Sequence, residues 1–341
     1  MLITNPTMER LQKAFREKAE GHQDLTVSPF QLDAVETEKG TAFDLEMTET
    51  AFGHEKQPIQ FSDSALGQLL NRVGIPILFW NRCPSHLHVA NFEYFNQKYE
   101  KEYLFRLDHG AGKNHVRAVL SDQYSVIDDI DLFKIVFNAL MNREDINYRC
   151  LQWDDRITQL SINFTDCTKE YEGRKYTAGL AITNSETGHS SVWIEPVVYT
   201  RGLSFYNRKV LKKQDVDCRI VHRGVLAPER VRPMVEKAKE VAQVGLIQLI
   251  EAFQTPISCD HALRTIESID ALPSRFVQIL EEEWRSQEEV IKAEAARRVI
   301  EFAQELPLFQ RVTVEQQAGK MLGLFQGYKS RFQAIIQEIS Q

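Results

Sequence analysis

Paired cysteines are missing from this chain. Its five cysteines, Cys83, Cys150, Cys167, Cys218 and Cys259, are odd in number and scattered, with no CxxC and no Cys/His ligand spacing. A zinc ribbon or finger is therefore not expected, and the thiols read as reduced. No apolar run approaches the roughly 18 residues that a membrane span needs. The first residues, MLITNPTMERLQ, hold no apolar core of signal-peptide length. The expectation is a soluble, cytoplasmic protein with no membrane contact. Phosphate-cradling loops are lacking as well, since neither GxxxxGKS/T nor GxGxxG occurs, and GxSxG, HExxH and DxDxDG are also absent. No cofactor, metal ligand or catalytic residue is assigned. No internal repeat or low-complexity linker divides the chain. A net charge of −7 excludes a uniformly basic nucleic-acid binder but leaves room for a local basic patch.

What is present begins with Val116–Leu140. Val116, Ala118 and Leu120 alternate with Arg117 and Val119, the pattern of a half-buried strand. Ser121-Asp122-Gln123 breaks the run, and Tyr124, Val126 and Ile127 predict a short second strand. Asp128 and Asp129 suit a helix N-cap and first turn, and Ile130, Phe133, Phe137 and Leu140 follow at helical spacing. Upstream, Thr7 caps a helix to Ala19, and Ser62 or Asp63 starts another that ends at Gly74-Ile75-Pro76. The aromatic-rich run His86–Tyr103 also reads as helical. Downstream, strands are expected at Ile146–Trp153, Arg156–Phe164, Gly179–Thr183 and Ser191–Tyr199, with Cys167–Thr177 as a polar loop. From Pro228 the period becomes helical, ending at Pro256, with further helices at His261–Ile269, Pro273–Ala303 and Val314–Ile339.

These elements predict an α+β fold, an antiparallel sheet packed on helices with a mostly helical C-terminal part. An acidic N-terminal segment with short strands and a helix is assigned to 1–59, an α+β core to 60–255, and a helical region to 256–341. Charge is uneven along the chain. Residues 1–60 hold eleven acidic and six basic side chains, whereas 201–240 hold eleven basic and five acidic. Such inversion in an acidic protein suggests an anionic partner, with Trp193, Phe205 and Tyr206 close by to stack on bases. The competing interpretation is a strand edge guarded by Lys and Arg.

Three spaced signatures stand together: Arg117-Ala118-Val119-Leu120-Ser121-Asp122 with Tyr124 and Asp128, then Asn184-Ser185-Glu186 with Gly188, then His222 with Gly224. Over about residues 60–255 the chain thereby resembles the phage/plasmid-like family called domain of unknown function 932. Where that family carries a Cys-Ser/Thr-Asn-Gly-like segment, this chain has Leu203-Ser204-Phe205-Tyr206-Asn207-Arg208. The resemblance implies a setting in mobile elements and their bacterial hosts, and no activity. The order of strands, basic hairpin and long helix is also similar to that of single-strand-annealing recombinases, a likeness of fold.

The expected function is binding of single-stranded DNA in a recombination or annealing role. Arg201, Arg208, Lys209, Lys212, Lys213 and Arg223 would contact phosphate, and Phe205 and Tyr206 would stack. A second expectation is an enzyme whose polar pocket gathers Asp122, Tyr124, Asn184, Glu186 and His222, with Glu186 and His222 moving protons. Set against it, Asp122 and Asn184 would only bond turns and His222 would only pack. A third places an assembly surface, for a partner or a second copy in a homo-oligomer, on the helices of 260–341.

Overall fold

The computed structural model describes residues 1–50, 53–109, 114–201, 203–208, 218–222, 228–269, 271–327, 329–331 and 333. In chain order the first strands and helices are β1 (Leu2–Thr4), α1 (Met8–Ala19), β2 (His22–Val27), β3 (Leu32–Thr37), β4 (Gly40–Thr50), β5 (Gly53–Phe61), α2 (Asp63–Val73), α3 (Ile77–Trp80) and α4 (Ser85–Asn96). Then come β6 (Tyr103–Asp108), β7 (His115–Ser121), α5 (Asp129–Leu140), β8 (Ile146–Trp153), β9 (Thr158–Tyr171), β10 (Arg174–Asn184), β11 (Val192–Thr200), β12 (Leu203–Phe205) and β13 (Arg219–Ile220). The rest is helical apart from one small ribbon: α6 (Pro228–Ala252), β14 (Pro256–Ser258), α7 (Cys259–Glu267), α8 (Ser274–Trp284), β15 (Glu289–Ile291), α9 (Lys292–Ala303) and α10 (Leu308–Leu322).

Two sheets carry this α+β fold. The larger is antiparallel in the order β1-β8-β9-β10-β11-β12, with β13 also on β11. The smaller runs β2-β6-β7-β5-β4-β3, antiparallel except where β5 meets β7. Each sheet has its own apolar core. The larger buries α1, α5, α6 and the C-terminal helices, and the smaller buries α2 and α4. Strand pairing runs across the 59/60 boundary, because β1 joins the large sheet and β2 to β5 build most of the small one. The large core likewise continues past residue 256.

Local chemistry explains the elements. Ser62 Oγ accepts from the Ala65 N–H at 3.1 Å, and Gly74 closes α2 at φ +84°. Thr7 caps α1, whose Phe15 ring stacks on Phe133 of α5 at 4.3 Å. Alternation fails as a guide in β11, buried at all nine positions, because α6 covers one face and other elements the second.

Several sequence expectations are corrected. Residues 124–128 form no strand. The Ser85 helix stops at Asn96, and Tyr103, expected to end it, opens β6. Most of the expected loop Cys167–Thr177 is strand, because β9 and β10 pair on to a turn at Glu172-Gly173, where φ is +49° and +69°. The expected helix 273–303 is two helices separated by β15, which pairs with β14. Beyond Leu322 most of the last expected helix lies outside the described residues.

Two packing features give measurable outcomes. Gly179 sits at a register shift in β10, where a Cβ would overlap the Ile162 carbonyl oxygen and the Tyr199 ring. Gly179→Ala is expected to lower unfolding stability by about 1–3 kcal/mol, the usual size of overpacking, in urea titration. Asp145 accepts from Arg143 at 2.6 Å and Lys239 at 2.7 Å, tying the start of β8 to α6. The Arg143 hydrogen bond, helped by Lys239, holds the Asp145 carboxyl down at about 2. A depressed carboxyl adds stability above its unfolded pKa, near ~3.9, that is lost as pH falls toward the folded value. Asp145→Asn should therefore flatten the fall of thermal midpoint between those two pH values. An unchanged slope would show that the pair adds nothing.

Candidate functional site

The polar residues singled out in the sequence gather where the two sheets meet, around Glu186 at the end of the β10 turn. Its Oε1 accepts from the Asp129 backbone N–H at 2.9 Å. Its Oε2 accepts from Lys18 Nζ at 3.1 Å and Arg117 Nη1 at 2.8 Å. Lys18 also pairs with Asp129 and donates to Thr158 at 2.9 Å. Asn184 Nδ2 donates to the Ile127 carbonyl at 2.9 Å and to Asp129 Oδ1 at 2.7 Å. So the free N–H at the start of α5 is capped from outside, by Glu186. Asp128 stands at the N-cap without a side-chain cap bond, contrary to the expectation from sequence.

Asp128 is turned to a different use. It pairs with Arg106, which also donates to Asp24 at 2.9 Å and to the Glu186 carbonyl at 2.9 Å. Arg106 is 1% exposed, so three acceptors offset its desolvation.

Charge states follow from this packing. Burial would raise the Glu186 carboxyl, but Lys18, Arg117 and the Asp129 N–H outweigh it and hold it well below the usual carboxylate range. Burial, then the Glu186 charge, pushes the neighbouring Asp129 carboxyl up. Burial disfavours the Lys18 ammonium, yet Asp129 and Glu186 keep its pKa above the ordinary value.

The five expected pocket residues are not one constellation. Glu186 and Asn184 share the network, and the Tyr124 hydroxyl donates to the Ser185 carbonyl at 3.2 Å. His222 stacks on Tyr124 at 4.9 Å, and burial lowers its pKa. Both its ring nitrogens are buried without a hydrogen-bond partner among the described residues, so no bond joins His222 to Glu186. Glu186, with both oxygens taken and its pKa depressed, is no proton carrier for that ring. Asp122 is exposed in the turn after β7. Lys18, Arg106 and Asp129 complete the network and were missed as site residues. Only Arg117 and the Asp128-Asp129 pair carried a signal, as members of motifs.

The expected nucleic-acid surface is divided. Phe205 and Tyr206 are each 1% exposed, and the Tyr206 hydroxyl donates to Glu315 at 2.7 Å, so neither ring is open to a base. That corrects the stacking role. Arg208 is paired with the buried Glu195 and lies over Trp193 at 4.3 Å, so it is not a free phosphate ligand. Lys209, Lys212, Lys213 and Arg223 lie outside the described residues. Arg201 is exposed, in the tight turn from β11 to β12 at φ +30°.

Two cavities flank β8. A cleft of about 580 Å³ between the sheets is lined by Lys18, Arg117 and Glu186, with Trp153 at its edge. On the other side, about 460 Å³ is enclosed by Arg149, Gln152, Arg201, Arg311 and Glu315 among others. Among the described residues no group of three His, Cys, Asp or Glu side chains could hold a metal ion, and no helix is long and apolar enough to cross a membrane. No family model, curated protein or solved structure matches the chain.

The Arg208–Glu195 pair gives a direct measurement. Arg208→Ala leaves the Glu195 carboxylate, 1% exposed, without its cation and should cost about 3–5 kcal/mol in chemical unfolding. Arg201→Ala, an exposed charge, should change stability by under ~0.5 kcal/mol. Equal, small effects would mean that Arg208 is not held as described.

Proposed function

We propose that the protein binds single-stranded nucleic acid by its phosphates, at the arginine-lined cavity beside the β11–β12 turn. The observation that carries this reading is the lining itself. Arg149, Arg201 and Arg311 face one cavity, and the acid among them, Glu315, is committed to other partners. It accepts from Tyr206 at 2.7 Å and from Gln304 at 3.0 Å, and burial raises its carboxyl above the ordinary range. Three guanidinium groups around one space repel, and a bound anion offsets that repulsion. Guanidinium also matches phosphate geometry with paired N–H donors. The turn that carries Arg201 leads, through β12, into the stretch whose basic excess the sequence displays.

With Phe205 and Tyr206 in the core, the reading has no stacking platform there. Binding then rests on the backbone, and it should be indifferent to sequence and sensitive to salt. A cavity of this size takes one backbone and not a duplex.

Fluorescence anisotropy with a labelled oligonucleotide tests this at about 50 mM and about 200 mM salt. Affinity is expected to fall steeply between the two. Arg149→Gln with Arg201→Gln should weaken binding by roughly tenfold or more at the lower salt and reduce the salt slope by about two, one per lost phosphate contact. No binding at the lower salt, or an unaltered slope in the double variant, would remove the reading.

A further inference from the structure

The cleft on the opposite side of β8 has a different chemistry. Arg117 projects from β7 to its inner end, with its side chain 14% exposed. Its Nη1 is bonded to Glu186, whereas Nε and Nη2 are buried with no acceptor among the described residues. Those two nitrogens form one edge of the guanidinium plane, the edge that takes both oxygens of a carboxylate. Leaving two charged donors unmet costs about 1–3 kcal/mol each, so a partner from the adjoining cleft is favoured.

The outer part of the same cleft is opposite in sign. The charged lining residues that are exposed are Glu17, Glu20 and Asp155, all acidic. A simple anion would be repelled at the entrance, and a simple cation would meet Lys18 and Arg117 inside. A molecule with an anionic end and a cationic end satisfies both. His22, also in the lining, is held below its ordinary pKa by burial and then by the Arg117 charge, so at neutral pH it adds no third cation.

We propose that the cleft between the two sheets is a site for a small zwitterion, its carboxylate on the Nε/Nη2 edge of Arg117 and its cationic end toward Glu17 and Glu20. The class is that of amino acids with a distal positive group. A cleft of about 580 Å³ is within the range of small-molecule sites, which favour junctions between cores. This site is separate from the arginine-lined cavity and does not depend on nucleic-acid binding.

Calorimetric titration of the full chain with L-arginine is the test, with acetate supplying the carboxylate alone and agmatine the cation alone. L-arginine is expected to bind saturably, and each half-molecule at least roughly tenfold more weakly, the size of one charge-assisted contact. Arg117→Lys keeps a cation opposite Glu186 but removes the paired edge, and should weaken L-arginine by roughly tenfold. In case that buried change perturbs folding, Glu17→Lys with Glu20→Lys alters exposed positions only. It should weaken L-arginine and strengthen acetate. No saturable heat with L-arginine up to about 10 mM, or equal affinity in both variants and the unchanged chain, would overturn the proposal.

Discussion

The carboxylate of Glu186, taken out of water and given three donors, is the constraint on which the rest of this structure turns. An unpaired carboxylate so deeply buried would be strongly destabilising, and it is tolerated only because its lone pairs are met. The donors come from three distant stretches: Lys18 of α1, Arg117 of β7 and the first N–H of α5. Arg117 belongs to the small sheet, and Glu186 follows a strand of the large one. The two apolar cores therefore meet at an ionic joint, and Arg106 repeats the device with Asp24, Asp128 and the Glu186 carbonyl. Ion pairs depend steeply on distance and direction, so such a joint fixes the relative placement of the sheets more closely than apolar contact alone.

Local chemistry was legible wherever it is decided by near neighbours. The caps at Thr7 and Ser62, the stop at Gly74 and the alternation that begins β9 are of this kind. The boundaries of β7 and α5 also come within a residue or two of the reading. Elements decided by distant partners were not legible. Thr168 and Thr177 look like loop residues until β9 and β10 are paired, when they face each other across the ladder. The run 273–303 has helical spacing throughout, and only pairing with β14 shows that Glu289–Ile291 is strand.

The site shows the same division. Asn184, Glu186 and Tyr124 were picked out, and they do lie at the junction. Lys18 was read as one of several charges on an amphipathic helix, since nothing near it in sequence announces a buried carboxylate. Phe205 and Tyr206 were placed on the surface because basic residues surround them in sequence, yet both rings are buried and Tyr206 bonds a glutamate more than a hundred residues away. Charge counted along the chain also misleads. Within 201–240, Arg208 is paired with Glu195, and Lys239 with Asp145 and Asp166. The arginines that join Arg201 come from positions 149 and 311, outside that window.

Strand geometry explains how one chain keeps two cavities of different character so close together. Successive side chains of a strand point to opposite faces. At the end of β8, Gln152 faces the arginine-lined cavity and Trp153 the cleft. A slip of one residue would exchange the two faces. The register is held by Gln152 itself, whose Nε2 donates to Gln159 at 2.9 Å across the ladder while its Oε1 accepts from Arg311. One hairpin turn further, Asp154 receives the N–H groups of Arg156 and Ile157 at 2.9 Å and that of Phe309 at 3.1 Å, so the start of α10 is anchored to the same hairpin. Opposite surfaces of β8 thus share one set of supports. Loosening the hairpin would disturb both cavities together, whereas changes confined to Arg201 or to Glu17 touch only one.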